Sequence, residues 1–286
     1  MALAVLLQGT ASFAEEKETG SASPVAAEEV ETSEAAHLSP EDLQTIEFSM
    51  ERGREIARRD AASWIVTDAM LAEAGKNPEK LGIIGWVTLP SDEAADQYEV
   101  TFVSGKLSDL RVAASYTFTN GSVSGSGLIR KPKDRPPLDE DAAAYFRAQT
   151  VATERMQEVS RCSVRMNTVV FGTPDGHDVY FLTPQTDLSL IQIGGHFRVP
   201  VKSGVAEAAR PFTTSCIALQ APDLKEGQSL AAAFVSDVIS PVPNEIHVFK
   251  SIEHKVPIAV LTTLNRKLWM VTDGNIEFER TLNQPN

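Results

Sequence analysis

Three short stretches of this chain hold side chains that could do chemistry. In Asn244-Glu245-Ile246-His247-Val248-Phe249 a glutamate and a histidine stand two residues apart. Read as a strand from Glu245 to Lys250, alternation puts Glu245, His247 and Phe249 on one face, opposite Ile246 and Val248. A Glu-x-His pair on a strand can be half of a metal site, or a general base with the acid that orients it. Gly194-Gly195-His196-Phe197-Arg198 offers the second histidine that such a site needs. Its glycines permit a tight turn or a close backbone approach. In the strand that follows, His196 and Arg198 share a face suited to an anion or carboxylate. The third stretch is Asp60, Trp64 and Asp68, spaced i, i+4 and i+8 on a helix. Neither aspartate has a Lys or Arg three or four positions away, so two carboxylates flanking an indole could hold a cation or a polar ligand.

Each stretch also has a structural reading, and it weighs more. His247 is then a hydrogen-bonded core residue, His196 and Arg198 form a polar strand face beside a bulge, and the aspartates bond within the fold around a buried Trp64. His37, His177 and His254 stand in no usable context. There is no G-x-S-x-G elbow, phosphate loop, H-E-x-x-H or strand-placed G-x-G-x-x-G, which counts against the common hydrolase, nucleotide and zinc-protease classes. No pattern calls for a cofactor or a metal.

Two cysteines, Cys162 and Cys216, are widely spaced and clear of any C-x-x-C or histidine cluster. In an oxidising compartment such a pair is most simply a disulfide. A nucleophilic thiol fits less well: Cys162 follows the C-terminal end of an expected helix, where the dipole raises a thiol pKa.

The elements that would position these residues can be read from local signals. Ser39-Pro40-Glu41-Asp42 is a capped helix start. Apolar residues recur at helical spacing from Leu43 to Leu71, Gly75 and Pro78 end the run, and Gly53 marks a candidate bend. Strands are expected at Gly82–Leu89, Gln97–Ser104, Leu110–Thr119 and Ser122–Arg130, with Asn120-Gly121 as a type I′ hairpin turn. Asn120-Gly121-Ser122 is also a glycosylation sequon, although the hairpin accounts for it. A second helix is expected over Asp139–Arg161. Further strands follow at Met166–Phe171, Asp178–Leu182, Leu188–Ile193, His196–Val201, Phe212–Leu219, Ala231–Ser236, Glu245–Lys250, Ile258–Thr262, Leu268–Val271 and Ile276–Glu279. Two principal helical segments and mainly antiparallel sheet make an α+β fold. The Pro-rich connector 131–138 is the candidate boundary if the globular region 39–286 is divided.

With 286 residues, 42% of them hydrophobic, the chain can bury a sizeable core. Its net charge of −13 is uneven. Residues 15–42 hold nine acids against Lys17, which leaves a body only mildly acidic. Nucleic acid needs a basic face and is excluded as the main partner. Residues 1–14 read as a signal peptide: an apolar run from Ala2 to Leu7, then small residues at Ser12 and Ala14. The basic start usual in such leaders is missing. Residues 15–38, rich in Glu, Ala, Ser and Thr, read as a disordered acidic linker. No later run reaches the length of a transmembrane helix.

Asp60-Ala61-Ala62-Ser63-Trp64 with Thr67-Asp68, Asn167-Thr168-Val169-Val170, Tyr180-Phe181-Leu182-Thr183-Pro184, Gly194-Gly195-His196, Arg210-Pro211-Phe212-Thr213 with Cys216, and Glu245-Ile246-His247-Val248-Phe249 together resemble an uncharacterised family of exported proteobacterial proteins. The resemblance spans about 45–280. It implies a bacterial envelope setting and brings no activity with it. The reading that emerges is a periplasmic or secreted non-catalytic protein that binds an envelope component or a small polar ligand. The alternatives are a hydrolase or metal-dependent enzyme built on His196, Glu245 and His247, and a carbohydrate or peptidoglycan binder that stacks sugars on Trp64, Trp86 or Trp269.

Overall fold

Ser39 starts the first helix as the sequence predicts: its hydroxyl accepts from the Asp42 N–H while the Asp42 carboxylate accepts from the Ser39 N–H, and Pro40 fills the first turn. Helix α1 runs unbroken over Pro40–Ala74, about 50 Å, and ends at Gly75 with φ +73°. The computed structural model describes residues 38–75, 78–91, 93–94, 96–187, 189–220 and 231–283. The expected leader, and the linker up to residue 37, lie outside them.

The strands β1 (Ile83–Pro90), β2 (Gln97–Lys106), β3 (Asp109–Thr119) and β4 (Ser122–Ile129) form an antiparallel meander. Asn120 and Gly121 both have positive φ, as the type I′ turn requires. The connector 131–138 runs beside the part of β3 that β4 leaves free: Pro136 and Leu138 exchange backbone bonds with Val112 and Leu110. Helix α2 covers Glu140–Met156, shorter than expected, capped by Asp139. The second sheet takes β5 (Asn167–Thr173), β6 (Gly176–Leu182), β8 (Phe197–Lys202), β9 (Val205–Ala206) and β10 (Arg210–Pro211), while β7 (Leu190–Gln192) pairs with β11 (Ala218–Gln220). The expected strand 212–219 is therefore mostly loop.

The last sheet orders β12 (Ala233–Asp237), β13 (Ile258–Thr262), β14 (Lys267–Thr272) and β15 (Asn275–Thr281). Here the structure corrects the sequence. Glu245–Lys250 is not a strand but the body of a third helix, α3 (Glu245–His254). Asn244 caps it, accepting from the N–H groups of Ile246 and His247. β12 and β13 pair in parallel, which demands a crossover, and α3 is that crossover. No helix among the described residues is long and apolar enough to cross a membrane.

The core explains the order of elements. α1 is a spine whose start packs on the last sheet through Ile46, whose middle packs on the second sheet and α3 through Ile56 and Ala57, and whose end packs on the first sheet through Ala62, Val66 and Met70. α2 lies on the other side. Alternate residues of the first two sheets face α1 (Val100, Phe102, Phe171, Tyr180) or α2 (Val103, Val170, Val179, Phe181), the two-residue period of strands buried on both faces. Gly53 does not interrupt α1. A Cβ there would stand 2.5 Å from the Val248 Cβ and 2.6 Å from the Glu245 oxygen, so glycine is what lets α1 and α3 touch backbone to backbone.

Candidate functional site

Helix α3 carries both apolar and charged side chains and is enclosed by its neighbours: all of residues 245–251 are buried. Its polar side chains must then find partners inside. Glu245 accepts from the Tyr180 hydroxyl at 2.9 Å and pairs with the Arg198 guanidinium at 3.6 Å. Burial, then the Glu245 charge, push the Tyr180 phenol up, so it stays a donor. Arg52 stacks over the Phe171 ring at 3.9 Å. The anion-facing side imagined for Arg198 is thus occupied by Glu245.

His196 is fully buried. Its Nδ1 accepts from the Thr183 N–H at 3.1 Å, so Nε2 carries the proton and donates to the Gln192 carbonyl at 3.1 Å. Burial, reinforced by Lys250, pushes the ring down to about 3. A proton added at Nδ1 would face the Thr183 N–H. His247 is also buried, and its Nδ1 accepts from the Asn244 N–H at 3.1 Å as part of the helix cap. Burial lowers its pKa against the opposing pull of Asp237. Among the described residues no group of three or more His, Cys, Asp or Glu is placed to hold a metal.

The glycines before His196 have a packing role. A Cβ on Gly194 would meet the Ser215 oxygen at 2.2 Å, and one on Gly195, at φ +83°, would meet the Cys162 sulfur at 2.5 Å. A disulfide joins Cys162 to Cys216 with Cα atoms 5.6 Å apart. It fastens the segment after α2 to the loop before β11, directly over the turn that feeds His196.

Asp60, Trp64 and Asp68 part company. Each four-residue step on a helix overshoots a full turn by about 40°, so the stripe winds about 80° from first to last. Asp60 points inward and is buried, whereas Trp64 is 53% exposed and Asp68 is exposed. Asp60 accepts from the Asn167 amide at 3.0 Å. Burial and then Glu253 raise it to about 6, against Asn167 and Lys250. Lys250, wholly buried, bonds Glu253 at 2.6 Å. Burial alone would raise the Glu253 carboxyl, but His254 and Lys250 bond to it and hold it at about 2. Of the seven residues singled out in the sequence, five therefore gather around α3, joined by Tyr180, Lys250, Glu253 and Asn167, which no sequence signal marks. Trp269 is fully buried and Trp86 half-buried.

The open surface lies beside this cluster. β1 ends the first sheet and β5 the second, and their first residues face each other under α2. A cleft of about 700 Å³ opens there, lined by Trp86, Gln149, Gln157, Arg161, Arg165, Asn167 and Thr168 among others. Further along, the β5 edge is closed: Arg59 donates to the Val170 carbonyl and the Tyr145 hydroxyl accepts from the Gly172 N–H. Gly85 makes room for the Phe146 ring, which a Cβ would approach to 2.8 Å. The Thr168 hydroxyl oxygen is buried and has no partner among the described residues. Asn167 belongs to both sites, lining the cleft and bonding Asp60.

No family model, curated protein or solved structure matches the chain. Function therefore rests on this geometry alone. The buried cluster offers no free histidine nitrogen pair. The cleft offers the Trp86 indole, the amides of Gln149, Gln157 and Asn167, the guanidinium groups of Arg161 and Arg165 and the Glu154 carboxylate, over the buried Thr168 hydroxyl.

Proposed function

We propose that this is an exported, disulfide-closed binding protein that takes a hydroxyl- and amide-rich ligand, in the class of cell-envelope glycans, in the cleft between β1, β5 and α2. The observation that carries the reading is the Thr168 hydroxyl, buried without a partner beside Trp86, Gln149 and Gln157. A buried polar atom left open is costly unless something bonds it, and an indole beside amides suits a sugar ring with its acetamido group. Arg161 and Arg165 in the same lining suit acidic substituents on such a glycan. The cysteine bond and the apolar run at the start of the sequence support an oxidising, extracytoplasmic setting. Five chemistry-capable residues are used up inside the fold, which supports binding over catalysis.

Calorimetry with an N-acetylglucosamine tetramer and with soluble peptidoglycan fragments tests this. The acidic fragments are expected to bind tighter than the neutral tetramer. Thr168→Val keeps the shape, leaves stability equal or higher, and should weaken binding about tenfold, the worth of one good hydrogen bond. Absence of binding at millimolar concentrations, or a Thr168→Val protein that binds like the wild type, would overturn the reading.

A further inference from the structure

A second cavity, of about 750 Å³, opens on the opposite flank of the α1 midsection. Four chain reversals meet there: Asp96 before β2, Asn120-Gly121 at the β3–β4 tip, Lys255 capping α3, and Asp273 at the β14–β15 turn. All of these have positive φ, so each is a turn residue held by its own backbone. The α1 side presents Ala57 and Ala61, whose small side chains leave apolar room beside the Phe118 ring.

The charges in this cavity are incompletely paired. Arg58 is satisfied by Glu55 and Asp96 at 3.4 and 3.2 Å. Arg54 is not: among the described residues its guanidinium bonds only the neutral Asn275 amide oxygen, at 2.6 Å. Neither Lys255 nor Asp273 makes an ion pair among the described residues. All three residues line this one cavity. A Cβ on Gly274 would touch both the Arg54 Nε and the Ile252 Cδ1 at 3.1 Å, and Ile252 is three residues before Lys255. Two unpaired cations and one unpaired carboxylate around an apolar pocket match a particular charge pattern.

We propose that this cavity binds an apolar α-amino acid as its zwitterion. The carboxylate lies between Arg54 and Lys255, the ammonium meets Asp273, and the side chain rests on Ala57, Ala61 and Phe118. The proposal does not depend on the glycan cleft, which lies beside α2 and shares none of these residues.

The full chain, disulfide intact, is titrated by calorimetry with L-phenylalanine, 3-phenylpropionate and phenethylamine at up to 10-fold above about 1 mM, the weak end of specific small-ligand affinity. L-phenylalanine is expected to bind at least tenfold tighter than either analogue, since each lacks one charge. Lys255→Asn and Asp273→Asn keep residues that tolerate the left-handed backbone, so both should fold with an unchanged Tm while losing at least tenfold in affinity. Thr168→Val should leave this binding unchanged. Equal binding of 3-phenylpropionate, no heat with L-phenylalanine, or wild-type affinity in both asparagine variants would overturn the proposal.

Discussion

Replacing Asp60 by asparagine should stabilise the protein at neutral pH, although Asp60 is buried and hydrogen-bonded. The Asn167 amide donates to one carboxylate oxygen, and an asparagine oxygen can accept the same bond. What disappears is a charge that burial and Glu253 disfavour. Asp60 titrates at about 6 in the fold against an ordinary 3.8. That gap, at 1.36 kcal/mol for each pH unit, corresponds to about 3 kcal/mol of stability withheld at pH 7. The sign follows from proton binding. Between 3.8 and 6 the folded state holds the proton more tightly than the unfolded chain, so acidification through that window stabilises the wild type and leaves Asp60→Asn untouched. The advantage of the variant should therefore shrink from about 3 kcal/mol at pH 7 to about 0.5 kcal/mol at pH 4. The raised value is already net of the opposing pull of Asn167 and Lys250. Urea unfolding followed by tryptophan fluorescence, with both proteins compared at pH 7 and pH 4, measures the two differences. A variant less stable than wild type at pH 7, or a difference that does not change with pH, would refute the account of Asp60 as a strained carboxylate.

Other outcomes follow from the same contacts. His196, pushed from 6.5 to about 3, contributes stability that is present above pH 6.5 and lost on acidification toward 3, up to about 5 kcal/mol; the acid limb of stability should be steeper in Asp60→Asn, where no opposing gain remains. Removing the disulfide by Cys162→Ser with Cys216→Ser opens a loop with a separation of 54 residues and should cost about 4 kcal/mol in denaturant titration. Gly195→Ala should cost more than about 2 kcal/mol, because its positive φ and the Cys162 sulfur both oppose a side chain. Trp64→Ala, at a half-exposed site, should shift the thermal midpoint by less than about 2 °C.

What could be read from the sequence was what local chemistry decides. The Ser39 cap, the Asn120-Gly121 turn and the Asp139 start of α2 depend on a few adjacent residues, and each lies where the pattern puts it. The cysteine pair was legible because two widely separated thiols have one simple use. The α3 segment was not. Ile246, Val248 and Phe249 favour strands by propensity, and an apolar run this short carries no decisive period. Its helix is set by the Asn244 cap and by the parallel pairing of β12 with β13, a partner relation that no window of ten residues contains.

The same error moved the apparent chemistry. On a strand, Glu245 and His247 would have faced one way toward a cleft. On an enclosed crossover helix they point to different sides, one to Tyr180 and Arg198 and the other back to the Asn244 N–H. Glu245 is satisfied from other elements, by Tyr180 and Arg198, whereas Lys250 bonds Glu253 within the helix, and nearby Asp60 and His196 bond Asn167, Thr183 and Gln192. This gathering of titratable groups is accounted for by internal bonds of the fold. Gln149, Gln157 and Trp86 line one cavity, and Arg54, Lys255 and Asp273 line another. Amides, hydroxyls and turn residues have no spacing rule, since strand starts and hairpin tips bring them together. Glu245, His196 and His247 therefore lie inside this fold, and the two clefts are lined by residues whose spacing in the sequence does not mark them.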